Sequence, residues 1–110
     1  MSLDIWFEAP PCPTCKHSGE RTTGHNITHN VEPMWRTAGA PLTGKDEGET
    51  GACLLPDLRA AIEAMLTEPE RFRKMNSPNG WGTYEGCLRF LFRVAWEAAD
   101  HPTWVMRASR

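Results

Sequence analysis

The sequence predicts an α+β fold, in which a small antiparallel sheet of about three strands is packed on one face by three to four helices. Apolar residues recur at three- and four-residue steps through much of the second half of the chain, which is the helical period. Short segments rich in β-branched and aromatic residues lie near both ends and around residue 27. Because the chain has 110 residues, we expect a single α+β domain over residues 1–110.

The first two strands are predicted to form a hairpin. Residues 4–8 are β-branched and aromatic and stop at a pair of prolines, and residues 25–31 form the returning strand. Residues 10–24, between the strands, are predicted to be a hairpin insertion that carries a metal knuckle. After the second strand, Asn30 is expected to cap a short helix that Gly39 ends.

Two further helices are predicted in the middle of the chain. The second of them is short, with capping-box spacing from Thr67 to Glu70 and with Phe72 and Met75 as its apolar anchors. The first has one apolar stripe, and polar residues occupy the opposite side. The members of that stripe are Leu55, Leu58, Ile62, Met65 and Leu66.

The longest helix is predicted over residues 84–100, after a turn rich in Gly, Pro and Asn. Thr83 is placed to cap it, because a hydroxyl can accept from an amide two or three residues further on. Apolar residues surround most of this helix, so we expect it to lie inside the domain with Leu88 and Leu91 almost fully buried. Residues 103–108 are predicted to form a last strand. The tryptophans are expected to converge on one core: Trp6, Trp35, Trp81, Trp96 and Trp104.

Composition excludes several classes of function. A net charge of −2 without a long Lys/Arg cluster argues against a nucleic-acid partner. No run of apolar residues is long enough to span a membrane, and the N-terminus lacks a signal pattern, so we expect a cytoplasmic protein with no membrane partner. The four cysteines are then expected to be thiols or metal ligands rather than disulfides.

Cys12 and Cys15 have the spacing of half a zinc site, two thiolates on a tight turn. We predict structural zinc held by Cys12, Cys15, His17 and His25, with His29 and Cys53 as other available ligands. The alternative is a pair of free thiols, because a second CxxC motif is missing. A zinc-protease site at His25 and His29 is rejected, since the residue after the first histidine is Asn rather than the Glu base.

A second candidate site is polar and aromatic. Amides and hydroxyls on one face of the second strand could meet the turn before the longest helix and bind a flat polar molecule such as a nucleotide. In that case the indole would stack on the base and the amides would bind its edges. The alternative is that the same groups form an internal clasp, cap a helix or set turn dihedrals. The predicted ligand-binding residues are Asn26, Thr28, Asn30, Asn79, Trp81 and Glu85.

Two segments of the chain resemble a known family. Residues 26–35 read N-x-T-x-N-V-x-P-M-W, and residues 76–85 read N-x-P-N-G-W-G-x-Y-E. With the opening aromatic strand and the closing strand, they are similar to a family of small uncharacterised bacteriophage and prophage proteins, over nearly the whole chain after Ile5. The family carries no biochemical function to transfer. Many of its members lack the Cys12 and Cys15 pair, so the resemblance implies that this pair is a variable insertion.

The resulting expectation is a non-catalytic binding module of phage type. It would sequester a small polar, nucleotide-like ligand or block a host protein. The chain offers aromatic and amide groups for binding, and spacing alone identifies no catalytic set. The alternatives are a small metal-assisted enzyme that uses the Cys12/Cys15 site and a structural or assembly protein.

Overall fold

The computed structural model describes residues 2–10, 13–15, 19–42 and 46–109. It confirms the α+β fold, with a three-stranded antiparallel sheet and four helices in these parts of the chain. The predicted order of strands and helices is also the observed one. The elements are β1 (Ser2–Glu8), β2 (His25–Thr28), a 3-10 helix (His29–Val31), α1 (Glu32–Ala38), α2 (Gly51–Thr67), α3 (Pro69–Arg73), α4 (Tyr84–Asp100) and β3 (Val105–Ser109).

The sheet has the order β2-β1-β3, so the first strand lies in its centre. Leu3 pairs with Ile27 of β2, and Phe7 pairs with Met106 of β3. These side chains are buried, whereas their neighbours along each strand are half-buried or exposed. The alternation gives the sheet one core face, which the helices cover.

Helices α2 and α4 pack against each other in antiparallel directions. Gly51 begins α2 beside the end of α4, and a Cβ atom at this glycine would lie 2.5 Å from the Ala98 carbonyl oxygen. At the other end of the pair, the Tyr84 hydroxyl donates a hydrogen bond of 2.8 Å to the carbonyl oxygen of Met65. Both contacts fix α4 with one side against α2, and α4 also contacts β2 and β1.

The local sequence correctly predicted the N-cap of α4 but not that of α3. Thr83 caps α4 as expected, since its hydroxyl accepts from the Gly86 amide at 3.1 Å. The capping box predicted for the short helix α3 is wrong. The hydroxyl of Thr67 instead donates to the Glu63 carbonyl at 2.8 Å, because Thr67 is still the last residue of α2. Glu68 takes the N-cap position without a side-chain bond.

The second strand is shorter than predicted. It ends at Thr28, and the next three residues form a 3-10 helix. The Thr28 hydroxyl accepts from the backbone amide of Asn30 at 3.3 Å, which turns the chain. Val31 is therefore the N-cap residue of α1, and the predicted cap at Asn30 is wrong.

The expectation that all tryptophans converge on the core is also wrong. Trp35 is buried, but the side chains of Trp81 and Trp96 are 74% and 76% exposed. On α4, Leu91 is fully buried while Leu88 is only partly buried. Leu66, predicted to belong to the apolar stripe of α2, is exposed as well. The sheet and α2 cover only part of the circumference of α4 and leave the rest exposed. Apolar residues around most of this helix therefore do not mean that the helix is buried on all sides.

Within the ranges described above, none of the helices combines the length and the apolar character that a membrane-spanning helix requires.

Candidate functional site

The two segments that carry the Asn/Trp motifs meet beside the start of α4. The Nδ2 atom of Asn30 donates a hydrogen bond of 3.0 Å to the carbonyl oxygen of Trp81. Gly82, at a φ of 122°, lies against the end of β2. A Cβ atom at Gly82 would be 2.7 Å from Cγ1 of Val31 and 3.0 Å from Cγ2 of Thr28, so only glycine fits this approach without displacement. We call this junction the clasp.

Other predicted ligand-binding residues also bond within the protein. Oδ1 of Asn79 accepts from the Trp81 amide at 2.9 Å and from the Ser77 hydroxyl at 2.5 Å. Oε2 of Glu85 accepts from Nε of Arg73 at 3.2 Å, on the rim of α4. These bonds give the turn its shape and occupy polar atoms that a ligand would need.

Asn26 lies apart from the clasp, on the outer face of the sheet. Its Nδ2 atom donates to Oδ1 of Asp4 at 2.9 Å, across the β1–β2 pair. Of the predicted set, the structure thus brings Thr28, Asn30, Asn79 and Trp81 together. The exposed indole of Trp81 is the surface that the clasp offers to a ligand, and nucleotide binding there stays a prediction.

The predicted zinc site falls mostly outside the described residues, because Cys12 and His17 are not among them. Cys15 is exposed in a turn, and His25 lies on β2, where Nε2 is 2.9 Å from Oε1 of Glu97. Over the ranges that the structure describes, no group of three or more His, Cys, Asp or Glu side chains could hold a metal ion. Structural zinc therefore stays a prediction.

A surface that the sequence did not single out lies on the open side of α4. Phe92 and Trp96 project from it one helical turn apart, 49% and 76% exposed. We call these two residues the α4 ridge. A groove of about 560 Å³ runs along the α2 side of the ridge, where the side chains of Leu55, Ile62 and Leu66 form apolar walls. Arg59 and Glu63 also line this second groove.

The first groove, of about 610 Å³, runs along the opposite side of the ridge. Its floor holds the contact between His25 and Glu97. The two atoms lie at ion-pair distance without hydrogen-bond alignment, and Oε2 of Glu97 is buried with no hydrogen-bond partner in the described structure. Its lining residues are His25, Glu85, Leu88, Arg89, Phe92, Arg93, Trp96 and Glu97.

Two arginines give the first groove a basic rim. Arg89 and Arg93 are exposed on successive turns of α4, and neither forms an ion pair within the described part of the chain. Glu85, on the same line, is held by Arg73. The groove therefore combines apolar walls with two cationic groups that remain available to a partner.

The thiol of Cys87, on the buried side of α4, is not placed to act as a nucleophile. The thiol is buried, and that burial raises its pKa to about 12, so it stays protonated at neutral pH. Its neighbours in the core are apolar side chains. A thiol in such surroundings packs as a small hydrophobic group.

Comparison of the chain with models of protein families, with curated proteins and with solved structures finds no match. The surface itself is then the guide to function.

A signal for the α4 ridge was present in the sequence. Phe92 and Trp96 are spaced i, i+4 and lie off the stripe that contains Leu91, Val94 and Ala98. A helix with two separate apolar stripes can be buried along both stripes, or it can be buried along one and bind a partner with the other.

Proposed function

We propose that this chain is a non-catalytic binding module of phage type. It blocks a host protein by binding a helix of that protein on the α4 ridge. The observation that supports the proposal is the exposure of Phe92 and Trp96 between two apolar grooves. Contiguous exposed apolar surface of this kind marks interaction sites. Aromatic side chains at the centre of an interface also tend to dominate its binding energy.

The shape of the surface favours a helix over a small polar ligand. The ridge residues are four positions apart on one helix, about 6 Å along its axis. Apolar side chains at i, i+3, i+4 and i+7 of an incoming helix can lie in the grooves on either side. A nucleotide base would need several hydrogen-bonding groups at its edges, whereas the first groove is walled by Leu88, Phe92 and Trp96 and, in the described structure, has its two free cations on the rim.

The charges on the rim define the chemistry of the partner helix. Arg89 and Arg93 lie on one side of the ridge without intramolecular ion pairs in the described structure. A helix with acidic residues beside its apolar stripe would pair with them and gain specificity as well as a faster association. The partner is thus an amphipathic helix that is acidic on one flank.

A display library of amphipathic helical peptides tests this proposal directly, because the selection does not require the identity of the host protein. We expect the selected peptides to have apolar residues at i, i+4 spacing and acidic residues on one flank. Their affinity should fall at least about 10-fold for Trp96→Ser, because the ridge then loses its largest side chain. Trp81→Ser is the matched control, since Trp81 is equally exposed but lies on the clasp.

The two tryptophan variants distinguish the sites. Peptides that bind Trp96→Ser as well as the unaltered chain would refute the docking surface. Loss of binding in Trp81→Ser alone would move the site to the clasp, and the nucleotide-binding expectation would then take precedence.

A further inference from the structure

We infer that, before a host helix is bound, the α4 ridge is covered by α4 of a second copy of this chain, in an antiparallel two-fold dimer. The inference rests on the proposed function and names what occupies the same surface in the free protein. A second copy presents the same exposed aromatic residues, and its first groove carries the Glu97 carboxylate beside Arg89 and Arg93. Its α4 therefore offers an apolar ridge and one carboxylate to the same surface.

The geometry of a two-fold contact makes the ridge complementary to itself. In an antiparallel pair of helices, a two-fold axis perpendicular to both brings each flank of one helix against the same flank of the other. If the axis passes α4 at Val94, Phe92 of one copy lies opposite Trp96 of the second copy, since each is two residues from the axis. Each Trp96 then covers a Phe92 and enters the groove beside it.

The same axis also pairs the charges. It places Glu97 of the second copy at the level of Leu91, between Arg89 and Arg93, which are each about 3 Å away along the helix axis. These are the two arginines without ion pairs in the described chain, and Glu97 is the residue whose Oε2 atom has no hydrogen-bond partner there. A turn of the Glu97 side chain would bring its carboxylate to both arginines, in exchange for its present contact with His25.

The charge pattern favours this register over the nearest alternative. An axis at Leu91 would place Arg89 opposite Arg93 of the second copy and Glu85 opposite Glu97. Both pairs would repel. Moving the axis to Val94 replaces repulsion by attraction and aligns the aromatic residues at the same time.

The oligomeric state and its dependence on the ridge give the first test. Sedimentation equilibrium of the full chain should show a dimer. Trp96→Ser should raise the dimer dissociation constant by at least about 30-fold, as expected for an interface residue of this kind. Trp81→Ser should leave the dissociation constant unchanged.

A charge exchange tests the register. One chain carries Arg89→Glu and Arg93→Glu, and the other carries Glu97→Lys. Each alone should be monomeric, because its own copies would oppose like charges. An equimolar mixture should form a heterodimer in native mass spectrometry, because every flank then meets its opposite. Lys74→Glu, which reverses an exposed charge on neither groove, is the control and should still form homodimers. Circular dichroism establishes that each variant is folded.

Each outcome decides between occupants. Failure of the mixture to form a heterodimer overturns the antiparallel register, and a dimer insensitive to Trp96→Ser overturns self-docking on this face. If the unaltered chain is monomeric yet binds helical peptides through Trp96, the self-pairing inference fails and the proposed function stands with a foreign helix. If it is monomeric and binds none, both fail.

Discussion

Phe90 and Phe92 lie two residues apart on α4 and belong to different surfaces. Phe90 is 4% exposed and packs in the core beside Cys87 and Leu91, whereas Phe92 is 49% exposed and forms the ridge with Trp96. Residue type and helix are the same, so position relative to the sheet and α2 makes the difference. Side chains on the inner face of α4 therefore hold the fold together, whereas those on the outer face are available to a partner.

The two faces also differ in what their apolar surface contributes. Full burial of a large apolar side chain is worth about 1.5–3 kcal/mol. On the inner face, that free energy already stabilises the folded chain. On the outer face, much of that free energy would be realised only if Phe92 and Trp96 were covered by another molecule. The same residue types therefore stabilise the fold on one side and are available for binding on the other.

The largest expected effect is the contrast between two truncations. Phe90→Ala should lower the free energy of unfolding by about 3–5 kcal/mol, because it removes a buried ring and leaves a cavity. Phe92→Ala should lower it by less than about 1 kcal/mol. Urea denaturation at low protein concentration, where association does not contribute, measures both values. Equal losses in the two variants would contradict the assignment of inner and outer faces.

A smaller effect concerns pH and the buried thiol of Cys87. Burial raises the pKa of this thiol to about 12, so the folded chain keeps a proton that the unfolded chain loses above about pH 8.5. Stability from this group is complete below the unfolded pKa and is lost as pH rises toward 12. By pH 10 the loss should be about 1–2 kcal/mol.

Cys87→Ala tests this loss, since its unfolding free energy should fall less steeply between pH 8 and 10. Cys53→Ala removes an exposed thiol and should keep the slope of the unaltered chain. If all three proteins show the same slope, the thiol of Cys87 is not protected by the core.

The smallest effect concerns the start of the helix that bears both faces. Thr83→Ala should cost about 1 kcal/mol, because the amide of Gly86 loses its acceptor. Thr83→Ser should restore most of that stability. Thr67→Ala changes an exposed threonine that caps no helix and should cost less than about 0.5 kcal/mol. Thermal unfolding followed by circular dichroism measures these differences, and an equal cost for both alanine variants would argue against the cap.

Local sequence was sufficient for much of the fold. Strand alternation and the helical period predicted the order of elements, and the hydroxyl of Thr83 marked the start of α4 correctly. The same local rules failed for the end of β2. There, the bond between Thr28 and the Asn30 amide competes with the strand, and Gly82 approaches from a distant turn. The outcome depends on a tertiary contact that no short window contains.

Exposure was harder to predict than secondary structure. The helical period shows which side chains share a stripe, but the number of stripes that neighbours cover depends on the width of the sheet and the placement of α2. For this reason the sequence predicted Trp96 in the core and Leu66 on the apolar stripe of α2, although both are exposed.

The candidate site was anticipated in part. The polar face predicted for the second strand was expected to meet the turn before α4, and Asn30 does bond to the Trp81 carbonyl there. The position of Asn26 was not anticipated, because its register with Asp4 places it on the outer face. The contact between His25 and Glu97 joins residues far apart in the chain, and sequence spacing contains no trace of it.

The central position of β1 has a consequence for how this chain is synthesised. One side of β1 pairs with β2 early, but the other side pairs with β3, from Asp4 with Ser109 to Glu8 with Val105. Contacts so distant in sequence form late, because the loop that they close is long. Until residues 105–109 have left the ribosome, β1 keeps one open hydrogen-bonding edge beside the apolar ring of Phe7. During that interval, a growing chain can pair through this edge with neighbouring chains.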